Sequence, residues 1–171
     1  MKYKKALFML LELFLRVVIN PRLRAFSLRL CGAHIGHNVR IYEVQFLNLE
    51  NGFDNLHVED DVHIGMGCKL DLAGNVFIKK GVTLSPGVTI LTHSDPGKHH
   101  SSPICSEFGP FVSDVIVGEF CWVGASVTVL AGSVLEDRIV VGACSLVKGK
   151  LESSSLYYGI PATKARCLNL G

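Results

Sequence analysis

The sequence predicts a parallel β-helix, a solenoid wound from short strands, and three observations carry that prediction. An aliphatic residue falls at every sixth position through Val117, Val123, Val129, Leu135 and Val141, and the same count runs through Val58, Ile64, Leu70 and through Ile78, Leu84, Ile90. Four positions after most of these sits a small or β-branched residue: Val62, Cys68, Val82, Val88, Cys121, Val127, Ser133, Ile139, Ser145. Between them lie turn-forming residues such as Asp60, Asp61, Gly67, Gly81, Gly87 and Gly132. A period of six belongs to neither an α-helix nor a flat sheet. It belongs to a coil of three hexapeptides, each one short strand plus a corner, in which the aliphatic residue points inward and stacks on its equivalents above and below. No coil can bury that residue alone, so several must stack.

The elements follow in chain order. Residues 1–30 form a helical segment, strongly apolar from Ala6 to Ile19, with Glu12 and Arg16 spaced to pair on one helix face. Pro21 is expected to end that helix. The stretch is too short and too interrupted to cross a bilayer, which needs about 20 clean apolar residues. It also lacks the small-residue cleavage site of a signal peptide. It carries seven Lys or Arg (2, 4, 5, 16, 22, 24, 29) against one acid, Glu12. Such a segment either lies in a membrane interface, its cations near anionic lipid, or packs on the end of the solenoid. Residues 31–161 form the solenoid. Its count slips by two residues around Ala73-Gly74-Asn75 and fails between Ile90 and Val117. A solenoid accommodates such breaks as loops thrown out from one corner, and loops of this kind carry function. The extruded loop is placed at about 92–114; it holds His93, Ser94, Asp95, His99 and His100. Residues 162–171 form a C-terminal tail with a short helix.

Composition narrows the classes. At 171 residues, 49% hydrophobic and 19% charged, the chain is one domain with ample core. The net charge of +2 is concentrated in the N-terminal segment, so the remainder is mildly acidic and ill suited to nucleic acid. The six cysteines (31, 68, 105, 121, 144, 167) contain no CxxC pairing; they read as small buried residues, not as a disulfide frame or a zinc site.

Four blocks carry a resemblance: G-V-T-L-S-P-G-V-T-I-L-T-H at 81–93 with its loop and the pair His99-His100, V-G-E-F-C-W-V-G-A-S-V at 117–127, V-G-A-C-S-L-V-K at 141–148, and Y-G-I-P-A at 158–162. In this order they resemble the left-handed β-helix hexapeptide acyltransferases. That family includes galactoside, maltose and xenobiotic O-acetyltransferases and acetyltransferases of polysaccharide synthesis. The left hand of the coil comes from the resemblance, since the period does not give it and parallel crossovers are ordinarily right-handed. The basic, apolar N-terminus followed by L-C-G-A-H-I-G looks most like the polysaccharide branch.

Acetyl transfer from a thioester to a hydroxyl needs a base, a donor for the developing oxyanion, and a site that aligns two substrates. His93, where the regular coil gives way to the loop, is the candidate base, and the resemblance places the family's catalytic histidine on it. Asp95, Asp71 or a backbone carbonyl could orient it. His99 and His100 are rival bases. Gly65 falls near a slot where several relatives carry Asn, so a backbone N–H becomes the expected oxyanion donor. Acetyl-CoA as co-substrate, with no metal, is implied by the resemblance, its arm lying along the last coils between two subunits. Gly124, Ala125 and Ala143 offer small residues for that arm, Trp122 matches a family tryptophan beside the thiol, and Lys148 and Arg166 suit the nucleotide phosphates.

The sequence thus reads as a cytoplasmic O-acetyltransferase of sugars or glycan intermediates. Transfer is direct, with no acyl-enzyme, and the resemblance implies a homotrimer. An N-acetyltransferase of an aminosugar and a serine O-acetyltransferase are the near alternatives, and a non-catalytic scaffold solenoid is the alternative of another class. A zinc site of three histidines on adjoining coils is disfavoured by the spacing of His57, His63 and His93.

Overall fold

The computed structural model describes residues 2–97 and 103–170, with side chains from residue 6 onward. Its body is a left-handed parallel β-helix of six triangular coils. Coil 1 holds β1 (His34–Ile35), β2 (Arg40–Ile41) and β3 (Val44–Leu47). Coil 2 holds β4 (Leu56–Val58), β5 (His63–Ile64) and β6 (Cys68–Asp71), and coil 3 holds β7 (Val76–Ile78), β8 (Thr83–Leu84) and β9 (Thr89–Ile90). After an excursion containing β10 (His93–Ser94) and β11 (Phe111–Val112), coil 4 resumes with β12 (Val115–Val117), β13 (Trp122–Val123) and β14 (Thr128–Val129). Coil 5 holds β15 (Val134–Leu135), β16 (Val140–Val141) and β17 (Leu146–Val147); coil 6 begins with β18 (Lys150–Leu151) and β19 (Ser155–Gly159).

The strands form three parallel sheets, one per face of the prism. The register puts the sixth-position aliphatics directly over one another. Face A stacks Ile35, Val58, Ile78, Val117, Leu135 and Leu151. Face B stacks Ile41, Ile64, Leu84, Val123, Val141 and Tyr157. Face C stacks Phe46, Leu70, Ile90, Val129 and Val147. All of these are buried. The corner between faces A and B repeats one left-handed residue per coil: Asn38, Asp61, Gly81, Phe120, Arg138 and Ser154, with φ from 51° to 69°. Only Gly81 is a glycine there. A Cβ on it would sit 2.5 Å from the Phe120 ring, so any larger residue there would have to displace that ring.

The insertions into the six-residue count share one place. Residues 48–55, 72–75 and 91–114 are all connections from face C to face A, in coils 1, 2 and 3 in turn. The first is a third insertion that the sequence count does not reveal. It contains a short 3-10 helix, Leu49–Asn51, and plants Phe53 in the core.

Two helices close the coil-1 end, α1 (Lys2–Val17) and α2 (Pro21–Leu30). Pro21 does not end a helix; it starts one. It sits at the first helical position, where its missing N–H costs nothing, and Asn20 caps the turn by accepting from the Arg22 and Leu23 amides. The expected Glu12–Arg16 pair forms at 2.7 Å, and Glu12 Oε1 also accepts from the Phe46 amide at 3.2 Å. Arg24 is buried and donates to the Leu15 and Ile41 carbonyls at 2.7 and 3.1 Å. Arg29 donates to the Ile35 carbonyl at 2.8 Å. One charged side chain thus caps the open edge of each face.

At the other end the expected C-terminal helix does not occur among the described residues. Residues 162–167 form β20 (Ala162–Cys167), antiparallel to β19. The chain reverses through Gly159, whose φ of 105° suits a tight turn, and satisfies the outer edge of β19 instead of bonding to itself. The cysteines also split: Cys68 and Cys121 fill inward positions as expected, but Cys144 and Cys167 are exposed, one on a corner and one on β20.

Axial stacking predicts that Leu84→Ala, fully buried between Ile64 and Val123, lowers unfolding free energy by about 2–5 kcal/mol. The outward-facing Thr83→Ala should cost less than about 0.5 kcal/mol. Urea unfolding of both variants checks this; equal shifts would contradict an inward stack at that register.

Candidate active site

His93 opens the long excursion. β10 leaves the solenoid and pairs antiparallel with β11, His93 opposite Val112 and Ser94 opposite Phe111. This lifts the His93 side chain off the core; it is 34% exposed. Thr92, one residue earlier, stays fully buried, and its hydroxyl donates to the Asp71 carbonyl at 3.0 Å and accepts from the Gly74 amide at 2.9 Å. The loop is therefore pinned to the coil above it at the residue before the histidine.

Asp71 is the hub. Leu70 stacks directly on Ile90, so the residues just after each meet at the same corner. The Asp71 side chain is wholly buried. Its Oδ2 accepts from the Thr92 amide at 2.9 Å, the His93 amide at 3.0 Å and His93 Nδ1 at 2.5 Å. Its Oδ1 accepts from Asn48 Nδ2 at 2.7 Å and the Ala73 amide at 3.1 Å. Burial by itself pushes this carboxyl up. The donors from Asn48, His93, Thr92 and Ala73 outweigh it and hold the group below the usual carboxylate range. An ionised Asp71 requires a proton on His93 Nδ1, which leaves the lone pair on Nε2. Asn48 Nδ2 lies 3.3 Å from His93 Nδ1, and since both are then donors, that approach is packing against the ring.

This settles which group orients His93. Asp95 is engaged elsewhere: its Oδ1 accepts from the Gly97 amide at 2.8 Å, closing a turn in the loop. Asn48 was missed by sequence reasoning. His99 and His100 lie outside the described residues. The other histidines stand apart. His57 stacks between His34 and Phe77 on face A, at 4.5 and 4.6 Å between ring centroids, and His63 lies against Tyr42 on face B. No group of three metal-ligating side chains occurs among the described residues.

The residues expected to hold coenzyme A divide into two places. Trp122, exposed on face B, donates from its indole to Ser85 Oγ at 3.0 Å. Two residues on, Gly124 is buried at the corner to face C, where a Cβ would meet the Ala143 amide nitrogen at 2.7 Å. Packing of coil on coil alone requires that glycine. Ala125 and Ala143 are its exposed neighbours in coils 4 and 5. Arg166 lies on β20 of the same face, opposite Leu156, and is exposed. Lys148 lies elsewhere, on the connection from face C to face A in coil 5. Of the neighbouring cations, Lys150 pairs with Glu136 at 2.7 Å and Lys164 with Glu152 at 3.1 Å. Gly65 admits no side chain: a Cβ would lie 2.8 Å from the Pro86 nitrogen.

No protein-family model matches the chain. Among curated proteins it is similar to a lipopolysaccharide biosynthesis O-acetyl transferase, WbbJ, of Escherichia coli K12. Identity is 32% over 115 residues, which span 64% of this chain but only 56% of that protein. It is also similar to dTDP-4-amino-4,6-dideoxy-D-glucose acyltransferase of Escherichia coli, 30% identical over 132 residues, covering 75% of this chain and 68% of that one. Among solved structures, the hexapeptide-repeat acetyltransferase VCA0836 of Vibrio cholerae superposes with a TM-score of 0.84 at 19% identity, over 98% of this chain and 92% of that one. It has also been solved with acetyl coenzyme A. The six-residue stack, the excursion that carries His93 and these similarities lead to one conclusion: the chain belongs to the hexapeptide-repeat acyltransferase family of left-handed β-helix proteins.

Proposed function

We propose that this chain is an O-acetyltransferase that moves acetyl from acetyl-CoA to a hydroxyl of a sugar or glycan intermediate, with His93 as general base. The observation that carries this reading is the buried carboxylate–imidazole pair, Asp71 to His93 Nδ1 at 2.5 Å, on an imidazole otherwise open to solvent. In that arrangement Nε2 takes the acceptor's hydroxyl proton as its oxygen attacks the thioester carbonyl. The tetrahedral adduct collapses with cleavage of the C–S bond, and the proton passes from Nε2 to the leaving coenzyme A thiolate. Asp71 stays ionised and steadies the imidazolium in between. Of the two hydroxyls adjacent to the base in sequence, Thr92 is buried and donates to the Asp71 carbonyl, and Ser94 lies on β10 opposite Phe111; the transfer is read as direct, with no covalent enzyme intermediate.

Coenzyme A is assigned to Trp122, the corner of Gly124, Ala125 and Ala143, and the cations Lys148 and Arg166. Trp122 and the small corners lie on face B and its border with face C, whereas His93 and Lys148 lie on the connection from face C to face A. One molecule in contact with both sets calls for two subunits side by side, which supports a homotrimer with sites between copies. The protein is placed in the cytoplasm, where acetyl-CoA is supplied. Similarity to an aminosugar acyltransferase favours a second reading, N-acetylation of a nucleotide-linked aminosugar, in which the same base serves an amine. A thiol-release assay with acetyl-CoA across glycans, nucleotide aminosugars and serine separates the two.

His93→Ala should lower turnover by at least about 100-fold, the loss typical of a general base, while calorimetry shows coenzyme A still bound. Unchanged turnover would remove His93 from the mechanism. Asp71→Asn should lose both activity and stability. Each carboxylate oxygen faces a backbone N–H (Ala73 on one side, Thr92 and His93 on the other), so either orientation of the amide sets donor against donor. That mismatch costs about 1–3 kcal/mol in thermal or urea unfolding. Because the folded carboxyl is held low, its contribution is present above the ordinary carboxylate range and is lost as pH falls through the depressed value. The deficit of the Asn variant should therefore be full at neutral pH and shrink in acid. Ala143→Leu, at an exposed corner, should raise the coenzyme A Kd by at least about tenfold while leaving the unfolding midpoint in place, as read by calorimetry and thermal melting.

A further inference from the structure

The N-terminal helices carry a surface that the solenoid does not use. From Ala6 onward α1 carries apolar residues on its outward side as well as on its buried one, with Glu12 and Arg16 its only charges there. One side, through Phe8, Leu11 and the buried Leu15, packs on coil 1 and its insertion. The opposite side leaves Leu7, Leu10, Phe14 and Val17 between 55% and 70% exposed, at the spacing of a single helical stripe. Ile19, just past the end of α1, is 92% exposed, and Phe26 of α2 is 52% exposed. An exposed apolar patch of this extent marks an interaction surface.

Charge decides what covers it. Residues 1–30 carry seven Lys or Arg and a single acid. That acid, Glu12, is buried against Arg16 and the Phe46 amide, so the segment presents no exposed carboxylate. With Arg24 buried and Arg16 paired to Glu12, the sequence leaves Lys2, Lys4, Lys5, Arg22 and Arg29 as the segment's remaining cations, and two copies meeting through this face would set like charge against like. An anionic lipid surface would neutralise them. No helix among the described residues is long and apolar enough to cross a membrane. We propose that this face docks on an anionic phospholipid bilayer, with the outer stripe of α1 lying along the interface between headgroups and acyl chains.

The docked side is also the side of the reacting corner. Met9 and Leu13, exposed on α1, line a groove of about 340 Å³ together with Asn48, and Asn48 holds Asp71. An acceptor resting at the lipid surface would thus meet the site edge-on. The docking itself does not depend on the acetyl-transfer reading.

The test is flotation of the full chain with vesicles of mixed phosphatidylglycerol and phosphatidylcholine and with vesicles of phosphatidylcholine alone, alongside analytical ultracentrifugation. The expected result is binding to the anionic vesicles at low salt, at least about tenfold weaker binding to the neutral ones, and release at high salt. Leu10→Gln with Phe14→Gln should weaken anionic binding by at least about tenfold without moving the thermal midpoint or the oligomeric mass. Equal binding to both vesicles, or none to either, overturns the proposal on the unmodified chain, whatever the variant does. A fall in oligomeric mass on making the double substitution overturns it in favour of an interface between copies.

Discussion

Everything in this chain depends on one packing constraint: an inward side chain in each strand must rest on the side chain in the same slot one coil away. The stacks Ile64–Leu84–Val123 and Leu70–Ile90–Val129 are that constraint in atoms. A coil cannot gain or lose a residue in a strand without breaking three such contacts at once. Extra residues can therefore go only outward, at a corner. In this protein three consecutive coils put theirs at the same corner, between faces C and A. The candidate site is a product of that choice. Asn48, Asp71 and His93 come from three different coils, yet their departures from regularity coincide in space, so a carboxylate, its amide donor and its imidazole meet there.

Burial of Asp71 shows how the solenoid serves chemistry. A carboxylate in the interior is costly unless every lone pair is used. Here the extruded loop supplies two amides and a ring nitrogen, the two-residue slip supplies the Ala73 amide, and the first insertion supplies Asn48. The same bonds that make the ion tolerable fix the ring of His93 and its tautomer. Stability and orientation are one set of contacts at this corner.

The regular part of the fold was legible because its signal is periodic. Eleven aliphatics from Val58 to Val141 fall on the observed stacks, and the loop was bounded by where their count failed. Coil 1 was not legible: its inward residues Ile35, Ile41 and Phe46 are spaced six and then five, and twelve residues separate Phe46 from Val58. That irregularity hid Asn48, because nothing in the sequence says that Phe46 stands over Leu70. Asp71 was one of several candidate partners for His93. The signal that selects it is arithmetic: Leu70 and Ile90 share a slot, so residues just past each share a corner. The C-terminal hairpin and the second N-terminal helix were misread from local cues. At the tail, tertiary demand from the open edge of β19 outweighed local preference. At Pro21 the residue is equally at home ending one helix and opening the next.

The caps on the first coil bear on how many coils there can be. A parallel solenoid ends in a row of unpaired amides and carbonyls on each face, and nothing in the repeat itself says where to stop. A second molecule could in principle continue the sheets and seed a fibre. Here Glu12 occupies the Phe46 amide, Arg24 the Ile41 carbonyl and Arg29 the Ile35 carbonyl. These three ionic side chains turn a sticky end into a finished one. An approaching strand would have to displace a charge on every face, so the length of the prism is set by electrostatics at its rim as much as by the number of repeats in its sequence.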